Sequence, residues 1–245
     1  MAQAARLAGE AGADIIDINM GCSVKKVAKS GSGAALLKDL IKTEKLIKAV
    51  RKAIALPLTI KIRSGWKEGQ PAYRTLARIA EESGIDALVI HPRYATQGFS
   101  GEADWLIVAE LKERLHIPVM GSGDIISPSQ ALALKKQTHC DGIMIGRQAL
   151  RTPWIFKKIK EMEAGGPPGQ PDPEERRGWL ISYWQWIEEN YQGPAQIKAL
   201  RRTLFVLTRG LPASGEFRQN VALAPTKERL KVLFEEYFES LIALE

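Results

Sequence analysis

Two cysteines, no long apolar run and a shortage of acidic groups bound what this 245-residue sequence can be. Cys22 and Cys140 cannot build a disulfide framework, which favours a reducing compartment such as the cytoplasm. No apolar stretch reaches the ~18 residues needed to span a bilayer. Met1–Gly12 is Ala-rich and lacks a basic region followed by an apolar one, so neither a secretory leader nor a membrane partner is expected. The net charge of +7 and a pI near 9.4 leave cations in excess. Such a surface suits a polyanion, although most moderately basic proteins bind no nucleic acid.

The excess positive charge lies before residue 174; the tail from 174 to 245 is neutral overall. Within that tail, Lys198, Arg201, Arg202, Arg209 and Arg218 face a single acid, Glu216, between residues 194 and 218. A second basic set, Lys42, Lys45, Lys48, Arg51 and Lys52, has mostly helical spacing and reads as a solvated helix face.

Short runs rich in Ile and Val cover Ala13–Asn19, Leu58–Arg63, Ala87–His91, Pro118–Gly121 and Gly142–Gly146. Amphipathic stretches near 39–55, 71–84, 103–115 and 127–138 alternate with them. Strands alternating with helices imply a parallel sheet with helical crossovers, and continuously apolar runs imply strands covered on both faces. Ala-Gly-Ala-Asp, Ser-Gly-Ile-Asp-Ala and His-Cys-Asp-Gly lead from helix to strand and suggest a repeated unit. Residues 164–173, rich in Gly and Pro, predict a linker. Beyond it, 174–190, 195–209, 213–221 and 226–242 read as helices, with Trp179, Tyr183, Trp184 and Trp186 as packing anchors.

Polar groups collect where the strands end: Asn19 and Cys22, then Lys61 and Arg63, then His91 and Arg93, then Gly121-Ser122-Gly123-Asp124, then Gly146-Arg147. Ligands of parallel α/β folds bind at the carboxyl ends of strands, and phosphate often sits on the glycine-rich turns of the last two. Lys61, between Ile60 and Ile62, needs a partner if buried; it suits either a Schiff base or an anionic cofactor group. Cys140 reads as an inert small hydrophobe, whereas the loop of Cys22 carries Lys25, Lys26 and Lys29.

Asp17-Ile-Asn19-Met-Gly-Cys22-Ser-Val-Lys25-Lys26-Val resembles the signature of the bacterial tRNA-dihydrouridine synthases. The likeness continues in Thr59-Ile-Lys61-Ile-Arg63-Ser-Gly-Trp66, His91-Pro-Arg93, Gln97-Gly-Phe-Ser-Gly101, Ala103-Asp-Trp105, Gly121-Ser-Gly-Asp-Ile125 and Met144-Ile-Gly146-Arg147. In the tail, Arg201-Arg202 and Thr208-Arg209-Gly210-Leu-Pro212 are similar to that family's helical domain.

The resemblance implies a TIM-barrel type (β/α)8 fold, here with only the last five strands and N-terminally truncated. Residues 1–163 would be a partial FMN-binding barrel, 164–173 a linker and 174–245 a helical tRNA-binding domain. It implies FMN-dependent reduction of uridine to 5,6-dihydrouridine in tRNA, with NADPH as reductant. Cys22 would donate the proton and Asn19 hold the uracil. Lys61 and His91 would contact the flavin, Gly123, Gly146 and Arg147 would hold its phosphate, and Ser122 and Asp124 would also bind the cofactor. Arg63 and Arg93 would be supporting groups or tRNA contacts, and Arg201 and Arg202 would bind tRNA. No metal or protein partner is implied. The sequence departs from the family pattern at Ser23, where Pro is usual, and at Ser122, where Asn is common. Two alternatives stand beside this reading: another FMN barrel reductase resembling dihydroorotate dehydrogenase, and a non-catalytic tRNA-binding remnant.

Overall fold

Five strands hydrogen-bond in chain order. β1 (Ile16–Asn19), β2 (Leu58–Gly65), β3 (Ala87–Tyr94), β4 (Val119–Ser122) and β5 (Gly142–Met144) are each parallel to the next. The computed structural model describes residues 1–167 and 169–243, and the chain divides into two compact units, Met1–Gly146 and Arg147–Glu245.

In the first unit, α1 (Ala2–Glu10) precedes β1. The connection from β1 to β2 holds α2 (Lys25–Lys29), a 3-10 helix (Gly33–Lys38) and α3 (Leu40–Ala53). Single helices link the later strands: α4 (Tyr73–Glu82), α5 (Leu106–Arg114) and α6 (Pro128–Thr138). Asp39 starts α3 by accepting the N–H of Lys42, and Ser127 starts α6 by accepting that of Gln130, with Pro128 at the first turn. Leu58, Ile60, Ile62, Leu88, Ile90 and Val119 are buried, as are Leu76, Ala80, Val108 and Leu111 on the helices.

The repeated turn into the strands has a physical cause. Asp86 accepts the first N–H of β2, from Leu58, at 2.7 Å and binds Arg51 of α3 at 2.9 Å. Asp141 does the same for the first N–H of β4, from Val119, at 2.7 Å and binds Lys112 of α5 at 2.8 Å. In each case one carboxylate satisfies an otherwise orphaned strand donor and a helix cation together.

Only one sheet face matches the expected apolar cover. Register pairs Asn19 with Lys61 and Arg63 with His91. Because side chains alternate, the polar strand-end residues of β1, β2 and β3 share one face, with Ile18, Ile60, Ile62 and Ile90 on the other. The apolar runs conceal this division because the polar members are few and lie near the strand ends.

The second unit is helical: α7 (Ile155–Glu163), α8 (Pro173–Asn190), α9 (Gly193–Leu207), α10 (Ser214–Leu223) and α11 (Lys227–Ile242). Trp154, Leu180, Trp184, Leu204, Phe234 and Phe238 belong to its buried core. The Gly/Pro-rich stretch 164–173 lies inside this unit; one of its residues, Pro168, is outside the described residues. It is fastened by Arg176, which donates to Pro171 O, Leu207 O and Arg209 O and lies 4.5 Å over the Trp154 ring. Trp154 in turn donates to Gln170 at 3.1 Å. Among the described residues no helix is long and apolar enough to cross a membrane.

Candidate active site

The loop after β1 is pinned at every step. Met20 N–H donates to Lys61 O at 2.7 Å, extending the sheet by one bond. Asn19 Oδ1 accepts the N–H of Gly21 at 3.0 Å and of Cys22 at 3.1 Å, forming an Asx-type turn. Arg63 Nε donates to Gly21 O at 2.9 Å. Ala34 N–H donates to Cys22 O at 2.9 Å, and Gly33, with φ +60°, is required there because a Cβ would lie 2.5 Å from that same oxygen. Cys22 is thus a half-buried free thiol on a fixed backbone.

Two buried arginines fix the next loop. Arg63 also donates to Tyr94 O and Gly98 O, both at 3.0 Å, tying the β1 loop to the β3 loop. Arg93 forms a bidentate pair with Asp124 at 2.8 and 2.7 Å and donates to Ser100 O and Gly101 O. Asp124 also accepts the N–H of Ala103 at 2.8 Å. Its carboxylate is therefore committed to balancing Arg93, and Asp124 reaches this position with φ 56° directly after Gly123. A Cβ at Gly123 would lie 3.0 Å from His91 Cδ2, so glycine lets the β4 turn approach that ring.

The cations shape the site's electrostatics. Burial, with Arg63, Lys61 and Arg93 nearby, pushes His91 down to about 3, so its ring is neutral at pH 7. Arg93 can only donate, and its Nη1 lies 3.4 Å from His91 Nε2; the ring hydrogen is therefore assigned to Nδ1. Burial, then Arg63, pushes Lys61 below its ordinary value, with Asp17 opposing. Arg63 is lowered by burial and by Arg93, and drawn the other way by Cys22. A half-buried Lys61 within electrostatic reach of a neutral imidazole gives this face hydrogen-bond donors. Among the described residues no group of three or more His, Cys, Asp or Glu side chains could hold a metal ion.

The structure thus brings Asn19, Cys22, Lys61 and His91 onto one sheet face and its loops, with Ser122 ending β4 and Gly123 and Asp124 following it. Gly146 closes the first unit and Arg147 opens the second. In the second unit the two tail arginines separate: Arg201 is half-buried and donates to Ala224 O, whereas Arg202 is exposed.

A family model described as dihydrouridine synthase (Dus) matches residues 1–242. The chain belongs to the dihydrouridine synthase family. It is 37% identical to "tRNA-dihydrouridine synthase B" of Xanthomonas campestris pv. campestris, over 99% of this chain and 74% of that protein. It is 36% identical to the protein of the same name in Pseudomonas putida, over 98% and 73%. A "Probable tRNA-dihydrouridine synthase" of Rickettsia bellii is 35% identical, over 99% and 74%. This member of the family carries two features that its sequence did not expose. Tyr183 and Trp186, expected as packing anchors, are 45% and 49% exposed. Leu180, Trp184 and Ile187 form the buried stripe at i, i+4 and i+7, and Tyr183 and Trp186 lie off it, a spacing that could have revealed them.

Proposed function

We propose that this chain reduces uridine to 5,6-dihydrouridine in tRNA, using FMN with NADPH as the source of electrons. The observation that carries this reading is the free Cys22 thiol, held by Asn19 and Arg63 at the carboxyl end of a strand, in a member of the dihydrouridine synthase family. The in-order parallel sheet with intervening helices is taken as part of a β/α barrel.

The available groups suit a flavin. Lys61 and the Nδ1–H of His91 would face its ring system, and the backbone at Ser122, Gly123 and Gly146 would take its phosphate. When bound, the flavin supplies the hydride for C6 of the uracil. The chain's own task is then positioning and one proton. Asn19 has committed its oxygen to the loop, so its Nδ2 amide is the part left to donate to a uracil carbonyl. The Cys22 thiol gives its proton to C5. Asp124 acts here through Arg93, as its counter-charge. In the second unit, exposed Arg202 is the phosphate contact, and Arg201 supports the fold. A base inside a helical stack cannot reach a strand-end site, so the target nucleotide must be extruded.

The test is incubation of the purified protein with an unmodified tRNA transcript, FMN and NADPH, followed by nucleoside mass spectrometry. Dihydrouridine in the native reaction and none with Cys22→Ala supports the proposal. No dihydrouridine, with tRNA still bound, would leave the non-catalytic binding reading.

A further inference from the structure

Between α8 and α9, joined by only Tyr191 and Gln192, lies a cavity of about 560 Å³ that the segment Ala149, Leu150 and Pro153 also lines. Tyr183 and Trp186 of α8 and the connecting Tyr191 contribute three aromatic rings. Trp186 and Tyr191 meet edge to face at 5.8 Å, so these two walls are set at an angle and do not cover one another. Ala195 and Ala199 of α9 keep the opposite side low, and Lys198 and Arg202, one turn apart, are the charged members of the lining. Among the described residues no acid lines this cavity, and neither cation is in an ion pair.

Aromatic surface of this size is normally buried in a small helical unit. Its core partner Trp184 is buried and stacks on Phe234 at 6.1 Å, while Tyr183 and Trp186 remain open. Exposed rings beside unpaired cations, without carboxylates, match a ligand with a planar apolar face and an attached anion. Phosphates favour the cations, and every base offers a π-face to a ring. A protein segment of acidic and aromatic residues would also answer the charge, but two cations one turn apart along the groove fit a chain carrying one anion per monomer.

We infer that this groove binds an unpaired nucleotide of the RNA substrate, the base against Trp186 and Tyr183 and the neighbouring phosphates at Lys198 and Arg202. This rests on the tRNA reading of the proposed function and adds to it a second nucleotide position, separate from the one held by Asn19 and Cys22. The site recognises a base because it is unstacked, whatever its identity, so its ligand is a single-stranded segment of the RNA.

The test uses the full chain and titrates short single-stranded oligouridylate and a duplex of equal charge, following tryptophan emission. The groove predicts quenching by the single strand, weaker binding of the duplex, and a loss of single-strand affinity in Trp186→Ala of about tenfold. Trp186→Tyr should restore most of it. Lys198→Ala with Arg202→Ala should flatten the salt dependence for a single strand by about 1.4 units of slope. Circular dichroism confirms folding of each variant. The inference is overturned if folded Trp186→Ala binds the oligonucleotide as the native chain does, or if Trp186→Tyr fails to rescue. It is also overturned if the double cation variant alone loses affinity, which indicates surface attraction without stacking, or if light scattering shows a second copy of the chain covering the groove. Binding of whole tRNA by the native chain is measured alongside. Its absence would remove the tRNA reading itself, whereas native tRNA binding unaffected by Trp186→Ala would remove only the groove.

Discussion

The side-chain oxygen of Asn19 accepts the backbone N–H of Cys22 at 3.1 Å, so the residue proposed to hold the uracil also sets the residue proposed to give the proton. Its two functions separate by substitution. Asn19→Asp keeps an acceptor for Gly21 and Cys22 but removes the Nδ2 donor, while Asn19→Ala removes both. The aspartate variant should hold loop order and lose turnover; the alanine variant should lose both. Activity assays with hydrogen exchange at residues 20–23 distinguish them. Equal exchange in the two variants would show that the turn does not depend on Asn19.

Cys22→Ala removes the proposed acid and leaves the backbone bonds of its loop in place. Dihydrouridine formation should fall by at least about 100-fold. Unfolding free energy should stay within about 1 kcal/mol of the native value, as the thiol is only half-buried. Product at the native rate would refute the assignment.

Asp124→Ala leaves the Arg93 side chain, 1% exposed, without its carboxylate. Removing one member of a buried pair is strongly unfavourable, and since Asp124 itself is 31% exposed the expected loss is near the lower end, about 3 kcal/mol. Urea denaturation measures it. A cost below about 1 kcal/mol would mean that water replaces the carboxylate.

His91 carries a pH signature. Its folded value is lowered to about 3 from 6.5, so between those values the unfolded chain holds a proton that the folded chain does not. Stability due to this residue therefore falls as pH drops below 6.5, by about 2 kcal/mol between pH 7 and pH 5. His91→Gln should abolish that part of the slope. Identical pH dependence in native and variant proteins would show that the ring titrates normally.

Arg201 and Arg202 should behave differently despite adjacency. Arg201→Ala loses the bond to Ala224 O and its packing, lowering thermal stability. Arg202→Ala should weaken tRNA binding and flatten its salt dependence, with little effect on melting. Matched losses of affinity and stability in both variants would contradict the split.

The strands and main helices were legible because their hydrophobic periods are strong and local: Leu58–Arg63 became Leu58–Gly65, and the expected helix 127–138 spans Pro128–Thr138. The polar strand ends were legible because five runs finish in the same chemistry. Less visible was what holds them. Arg93 and Asp124 are 31 residues apart, and Arg63 meets Gly21 across 42, distances over which no periodicity speaks. The Gly/Pro stretch was legible as irregular backbone, but its attachment through Arg176 depends on carbonyls 31 and 33 residues away.

The sheet runs β1-β2-β3-β4-β5, the order in which the strands leave the ribosome. Each new strand therefore meets an edge that already exists, and loop closure spans one helical connection at a time. Within this sheet a lesion in β3 interrupts two ladders, those with β2 and β4, whereas one in β5 touches only its ladder with β4. Apolar-to-polar changes in β3 should therefore slow folding more than equivalent changes in β5.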